Sequence, residues 1–308
     1  MVENATERIN NPETAGQGPA TASYEGTHLV PVLTIAGSDC SGGAGVQADV
    51  KAMSANGVYA ESVITSVVAE NTARVISVQN IDVKIIRDQI DAVFEDIAPR
   101  AVKIGMLDSP QIMHAVADKL DQYRPEHVVI DPVMYAKNGA ALMDPDCIDT
   151  LIDTVIPHAD VLTPNIPEAE RICGIGIDDL DSQREAARLI QKMGCRSVLV
   201  KGGHAQGDAM DILFDGEGFH EFTTARIPTK NTHGTGCTYS SAIAAQLALG
   251  YGRNQAIARA KRYVTVAIEH ALMLGRGNGP TNHFWDVYEH GLKDSVVGGS
   301  PSRNVDGE

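Results

Sequence analysis

The chain predicts an α/β fold with a mostly parallel central sheet, helices on both faces and a small β hairpin. Three observations carry this. Four short apolar runs, ending at Ile104, Ile130, Leu162 and Val200, each stop at a glycine or polar residue and are separated by helical patterns. Continuous apolar strands alternating with helices mark a parallel sheet covered on both faces. The runs 211–215 and 219–224 flank Gly216-Glu217-Gly218, a hairpin signal. A glycine-rich turn, Asn231-Thr232-His233-Gly234-Thr235-Gly236-Cys237-Thr238, opens an apolar helical run over 240–249. The free N–H groups and positive dipole end of that helix converge on the turn, which makes an anion site.

In chain order, residues 1–27 are rich in Asn, Thr, Gly, Ala, Pro and Glu without periodicity, and are expected to be a disordered tail. One domain is expected over 28–290, followed by a flexible tail over 291–308. An apolar run over 30–36 stops at Gly37 and enters the loop Gly37-Ser38-Asp39-Cys40-Ser41-Gly42-Gly43-Ala44-Gly45. Val46, Val50 and Met53 then recur at helical spacing up to Asn56-Gly57. This strand–loop–helix lacks the Lys-Ser/Thr ending of a Walker loop, and its glycine spacing does not suit a dinucleotide fingerprint. A β-prone run over 61–69 ends at Glu70. Residues 83–97 form an amphipathic helix carrying Val83, Ile86, Ile90, Val93, Phe94 and Ile97 on one stripe. Ser109-Pro110 suits the start of a helix over 109–122. Helices are also expected over 145–156, 182–193 and 254–274.

The composition limits the function classes. With 308 residues, 43% hydrophobic and 21% charged, the chain is an ordinary globular protein with room for a sizeable core. Its net charge of -15 opposes nucleic acid and anionic membranes, so a phosphate site must be local. Five widely spaced cysteines without a CxxC pair argue against a disulfide framework or zinc site and fit a reducing cytoplasm. No basic-then-apolar leader opens the sequence, and no apolar run reaches spanning length.

In an open parallel sheet, ligands bind outside the carboxyl ends of the strands. Asp131, Asn165, Glu168 and Lys201 all fall on that edge. The oxygens of Asp131, Asn165 and Glu168 suit Mg²⁺, directly or through its waters. Lys201 suits nucleotide phosphates as a point charge. The amides around Gly234, Thr235, Gly236 and Cys237 suit the equatorial oxygens of a phosphoryl group in transit. Cys237 stands at a helix N-terminus, where a thiol pKa is expected to fall; it is either a proton acceptor, a polarisable neighbour of the amides, or a small packing residue. Glu70, at a strand end, is placed to accept from a heterocycle's amine or to cap a solvated strand.

The blocks Leu33-Thr34-Ile35-Ala36-Gly37-Ser38-Asp39, Ser41-Gly42-Gly43-Ala44-Gly45-Val46-Gln47-Ala48-Asp49, Val68-Ala69-Glu70-Asn71-Thr72, Lys103-Ile104-Gly105-Met106-Leu107, Asp131-Pro132-Val133-Met134, Thr163-Pro164-Asn165, Lys201-Gly202-Gly203-His204 and the turn at 231–238 occur in one order. Together they resemble the ribokinase-like small-molecule kinases, and within them the hydroxymethylpyrimidine/phosphomethylpyrimidine kinases of thiamine biosynthesis, over roughly residues 30–285. The resemblance implies a three-layer αβα sandwich. It also implies an ATP- and Mg²⁺-dependent kinase that phosphorylates the pyrimidine alcohol and then its monophosphate. By the same resemblance, Glu70 grips the aminopyrimidine, and Gly37, Asp49, Met106 and Val133 surround it. Lys201 and Asn165 match the family's nucleotide-phosphate and metal-linked positions, and Cys237 its presumed catalytic position. From the residues themselves, Thr235 is placed with the nucleotide, Asp131 and Glu168 with the metal, and Gly234, Gly236 and Lys201 with Cys237 at the transfer. Cys40 stands where the family usually has Pro or Ser, and Glu70 where many members carry Gln. Relatives are often homodimers. The alternatives are a pyridoxine/pyridoxal kinase and a non-catalytic ligand sensor of the same fold; a sugar kinase is disfavoured because no lid insertion stands between Asp49 and Glu70.

Overall fold

The computed structural model describes residues 29–291 except 137, 138, 140, 141, 144 and 205–207. The tails expected over 1–27 and 291–308 lie outside the described residues, Gly291 aside.

β1 (Pro31–Asp39) is buried along nearly its whole length and lies inside the sheet, flanked on both sides. It pairs in parallel with β2 (Tyr59–Glu70) on one side and with β4 (Ala101–Ile104) on the other. From β4 the parallel order continues through β5 (His127–Ile130), β6 (Val161–Leu162) and β7 (Val198–Val200). These strands are short, and apart from Lys103 in β4 they are apolar at their centres because both faces are covered. The expected hairpin is present as β8 (Ala209–Phe214) and β9 (Phe219–Thr224), and it extends the same sheet by antiparallel pairing with β7.

The far edge carries a strand the sequence did not announce, β3 (Val75–Asn80), antiparallel to β2. Five of its six residues are exposed, so the alternation that reveals a half-buried strand is missing. Among the described residues the sheet has nine strands in the order β3-β2-β1-β4-β5-β6-β7-β8-β9.

Helices α1 (Gly45–Ala55), α7 (Thr235–Ala248) and α8 (Arg253–Glu269) cover one face. α7 is buried from Thr238 to Ala248 and packs against α1, β1, β4 and β5. Helices α2 (Val83–Asp96), α3 (Pro110–Tyr123), α5 (Ile166–Cys173) and α6 (Leu180–Gln191) cover the other. The result is the expected αβα sandwich.

The segment expected as one helix over 145–156 instead changes pitch: a 3₁₀ turn, α4 (Ile148–Thr150), a π turn at Leu151–Val155 and a second 3₁₀ turn that takes in Pro157. α8 ends at Glu269, five residues before the expected stop.

Candidate active site

The connections after β1 run to β2 on one side, and later to β4 on the other. The crevice between the carboxyl ends of β1 and β4 is therefore a topological switch point, where such sheets bind ligands. Gly37 and Met106 flank it. A Cβ at Gly37 would lie 2.8 Å from Ser66 Oγ and 3.2 Å from Met106 Sδ, so only glycine fits there. The β1–β2 register also shifts between Ala36 and Ser38, and such irregularities commonly re-aim residues beside a site.

The anion turn lies over this crevice. Gly234 has φ +76° and precedes α7. A Cβ on it would meet Gly43 O at 1.8 Å, so the turn sits directly on the glycine loop that follows β1. Thr235 Oγ1 donates to Thr232 O at 2.8 Å, and Thr238 Oγ1 donates to Gly234 O at 2.8 Å. Among the described residues no hydrogen bond occupies the amides of Gly236 and Cys237. Two oriented, unspent donors at a helix N-terminus are what a phosphoryl group needs.

Beside them stands the acid–lysine group. Lys201 Nζ donates to Asp131 Oδ1 at 2.6 Å, and Thr163 Oγ1 donates to the same oxygen at 3.1 Å. Asp131 Oδ2 and Lys201 Nζ lie 3.0 and 3.4 Å from where a Gly236 Cβ would stand. Among the described residues no hydrogen bond reaches that Oδ2.

Asn165 and Glu168 form the capping box of α5: Glu168 N donates to Asn165 Oδ1 at 2.9 Å, and Asn165 N to Glu168 Oε2 at 2.8 Å. Burial pushes the Glu168 carboxyl up to about 7; Lys201 opposes this and Asp131 adds to it. With both acids ionised, two buried carboxylates share one lysine. That deficit of positive charge, and the hard-oxygen donor set, fit Mg²⁺. The cap engages one lone pair of the Asn165 side-chain oxygen and leaves its amide N–H donors to face a nucleotide.

Three readings from sequence meet a different geometry. Asp49 is not a substrate contact. It is fully buried, and its carboxylate accepts from Lys103 Nζ at 2.8 and 2.9 Å, Thr34 Oγ1 at 2.6 Å and Ser241 Oγ at 2.8 Å. No lone pair is left for a ligand. The Cys237 thiol pKa does not fall. Burial pushes it up to about 12, outweighing the nearby Lys103 cation. Glu70 is half-buried at the end of β2, and its carboxyl is pushed up to about 7 by burial and by Asp39, so it is not the simple ionised acceptor expected. Val133, whose amide donates to Asp131 O at 2.8 Å, follows β5 on the same edge.

Sequence reasoning gave no role to Lys103, Asp39 or His233. A lysine inside the four-residue apolar strand β4 was the available signal for the first. Asp39 and His233 meet at 3.0 Å although they are 194 residues apart, and no local pattern links them.

The chain matches the family described as phosphomethylpyrimidine kinase over residues 39–282. It is 53% identical over 253 residues to the thiamine biosynthesis bifunctional protein of Geobacter sulfurreducens, a match covering 82% of this chain but only 52% of that protein. It is 47% identical over 258 residues to the hydroxymethylpyrimidine/phosphomethylpyrimidine kinase of Bacillus subtilis, covering 83% of this chain and 95% of that one. In three dimensions it is similar to an ADP complex of Bacillus subtilis pyridoxal kinase, with a TM-score of 0.79, 36% identity, and coverage of 83% and 98%. No helix among the described residues is long and apolar enough to cross a membrane. A ribokinase-like sheet whose switch point carries an anion turn, and a match spanning most of the chain, place this protein in the phosphomethylpyrimidine kinase family.

Proposed function

We propose that this chain is the ATP-dependent kinase that phosphorylates 4-amino-5-hydroxymethyl-2-methylpyrimidine and then its monophosphate, in thiamine biosynthesis. The observation that carries this reading is the seating of the Gly234–Cys237 turn. It touches the Gly43 loop on one side and the Asp131–Lys201 pair on the other, so one anion site faces both a small-molecule crevice and a cation-ready acid group.

Phosphoryl transfer passes through a loose transition state, in which alignment and charge neutralisation matter more than nucleophile activation. The amides of Gly236 and Cys237 hold the equatorial oxygens of the moving group. Lys201 neutralises charge beside them, positioned by Asp131. Asp131 and Glu168 would hold Mg²⁺, which when bound neutralises the nucleotide phosphates. Gly37, Met106 and Val133 shape the apolar side of the pyrimidine pocket, and Glu70 meets its polar edge. With its thiol pushed up to about 12, Cys237 acts through its backbone amide and its bulk rather than as a thiolate base. The enzyme is expected to work in the cytoplasm as a homodimer.

The similarity to a pyridoxal kinase supports a second reading, in which a pyridine alcohol is the substrate. Both are tested by offering hydroxymethylpyrimidine and pyridoxine in parallel with ATP and Mg²⁺ and following products by mass. Monophosphate and then diphosphate from the pyrimidine, with pyridoxine slow, is the expected result. Faster turnover of pyridoxine would move the protein to the second reading, and no turnover of either would point to a ligand sensor.

A further inference from the structure

Asp39, Glu70 and His233 each bring one polar atom to a common point, all within 4.8 Å of one another. They arrive from the end of β1, the end of β2 and the turn before α7. The two carboxyl groups are not equivalent. Asp39 is buried, and its Oδ1 accepts from Ser41 N at 2.7 Å. Its Oδ2 accepts from Ser41 Oγ at 3.0 Å, Gly43 N at 3.0 Å and Ala44 N at 2.7 Å, and lies 3.0 Å from His233 Nε2. Among the described residues no hydrogen bond reaches the Glu70 carboxyl. The trio is therefore not an open cation cage, since both Asp39 oxygens and the facing ring nitrogen are already engaged.

Two carboxyl groups this close do not both ionise freely, and their environments decide which one keeps the proton. Burial raises Asp39, but the bonds from His233, Ser41 and Ala44 outweigh it and hold the group at about 2. Glu70 has no such donors. Burial first, and the Asp39 charge second, push it to about 7, with His233 pulling the other way. The groups that face Glu70 are thus Asp39 from β1, His233 from the anion turn, and the Cys40 thiol, which donates to the Glu70 backbone carbonyl at 3.1 Å. On its other side it pairs with Val75 of β3, which carries no charge.

An aminopyrimidine presents a ring nitrogen acceptor next to an amine donor. A neutral carboxylic acid presents a hydroxyl donor next to a carbonyl acceptor, and the two close a ring of two hydrogen bonds. An ionised carboxylate can accept from the amine but turns a lone pair on the ring nitrogen. We propose that Glu70 binds the pyrimidine as the neutral acid, donating to the ring nitrogen and accepting from the amine. Asp39, clamped by His233 and the Ser41–Ala44 loop, is the positioning residue that keeps it neutral. This rests on the reading of Glu70 as the group that faces the pyrimidine.

The test is KM and kcat for hydroxymethylpyrimidine from pH 6 to 8.5, with the native chain, Glu70→Gln and Glu70→Ala. Glutamine offers the same donor–acceptor pair without a titration. The native KM is expected to rise about thirtyfold across that range, approaching tenfold per pH unit above about 7, while kcat moves far less. Glu70→Gln should show a flat KM, and Glu70→Ala a high one at every pH. Asp39→Asn, where it folds, should move the rise to lower pH, because the charge that protects the proton is gone.

A native KM that stays flat, with Glu70→Gln binding more weakly than native at pH 6, would mean an ionised Glu70 and overturn the proposal. So would the same pH dependence in native and Glu70→Gln, which would put the titrating group on the substrate or nucleotide. If Glu70→Ala binds as well as native, the assignment of Glu70 to the pocket itself fails, a result separate from either of these.

Discussion

Two lysines stand at the carboxyl edge of this sheet, each against an aspartate, and they teach opposite lessons. Lys103 and Asp49 form a finished unit. Both are fully buried, and each Asp49 oxygen accepts two hydrogen bonds. The unit joins β1, α1, β4 and α7, and it offers nothing to a ligand. Lys201 and Asp131 form an unfinished unit. One Asp131 oxygen is engaged twice and the other, among the described residues, not at all, while a second carboxylate, Glu168, competes for the same lysine. A buried charge network with every lone pair filled is scaffold. One left short of positive charge beside an anion turn is what we propose as the site. The comparison makes separable predictions, because damage to the first should fall on stability and damage to the second on turnover.

The largest effect is expected at the finished pair. Lys103→Met leaves Asp49 buried without its cation, which typically costs about 3–5 kcal/mol. The urea midpoint should fall accordingly. Adding Asp49→Leu should recover much of the loss, since removing both charges removes the unpaired one. If Lys103→Met unfolds at the native midpoint yet loses activity, Lys103 belongs to the site and the division between the two pairs is wrong.

At the unfinished pair the signs reverse. Lys201→Met removes the cation beside the anion turn, and kcat should drop by about 10²–10³-fold, the usual scale for one preorganised stabilising group. The thermal midpoint should move less than in Lys103→Met, because Glu168, already pushed up to about 7, takes a proton once the cation is gone, and Thr163 still donates to Asp131. Equal loss of stability in the two variants would erase the contrast.

How much of this could be read from the chain follows the same division. The short parallel strands β5, β6 and β7 were legible because burial on both faces leaves their centres apolar. β4 is the exception, and its one lysine marked the scaffold pair that was overlooked. Asp131, Glu168 and Lys201 were legible because strand ends can be counted along the sequence, and the fold law for such sheets brings those ends together. Asp49 was misread because its motif neighbours Gly42 to Gly45 do reach the site, whereas its own side chain turns back from α1 into the core. β3 was missed because an exposed edge strand has no inner face to pattern. The Asp39–His233 contact depends on how the β1 loop and the α7 turn stack, and that is set by Gly43 and Gly234 fitting against one another, a tertiary fact with no local trace.

Cys237 sharpens the comparison at its smallest scale, because it feels both pairs. Its place at the start of α7 suggested an activated thiol, yet burial wins over Lys103, and Asp49 and Asp131 add to the upward push. With the thiol at about 12, its ionised fraction below pH 9 is about a thousandth or less. The pH profile of kcat between 6 and 9 should therefore show no limb that disappears in Cys237→Ser, and that variant should keep kcat within about tenfold of native, since the backbone amide survives the change. Alkylation offers a direct check. At pH 8 iodoacetamide should label the exposed Cys40 well before Cys237, as read by peptide mass. Faster labelling of Cys237 would mean that the unspent amides and Lys103 together overcome desolvation, and the thiol would then return as a candidate proton acceptor in the transfer.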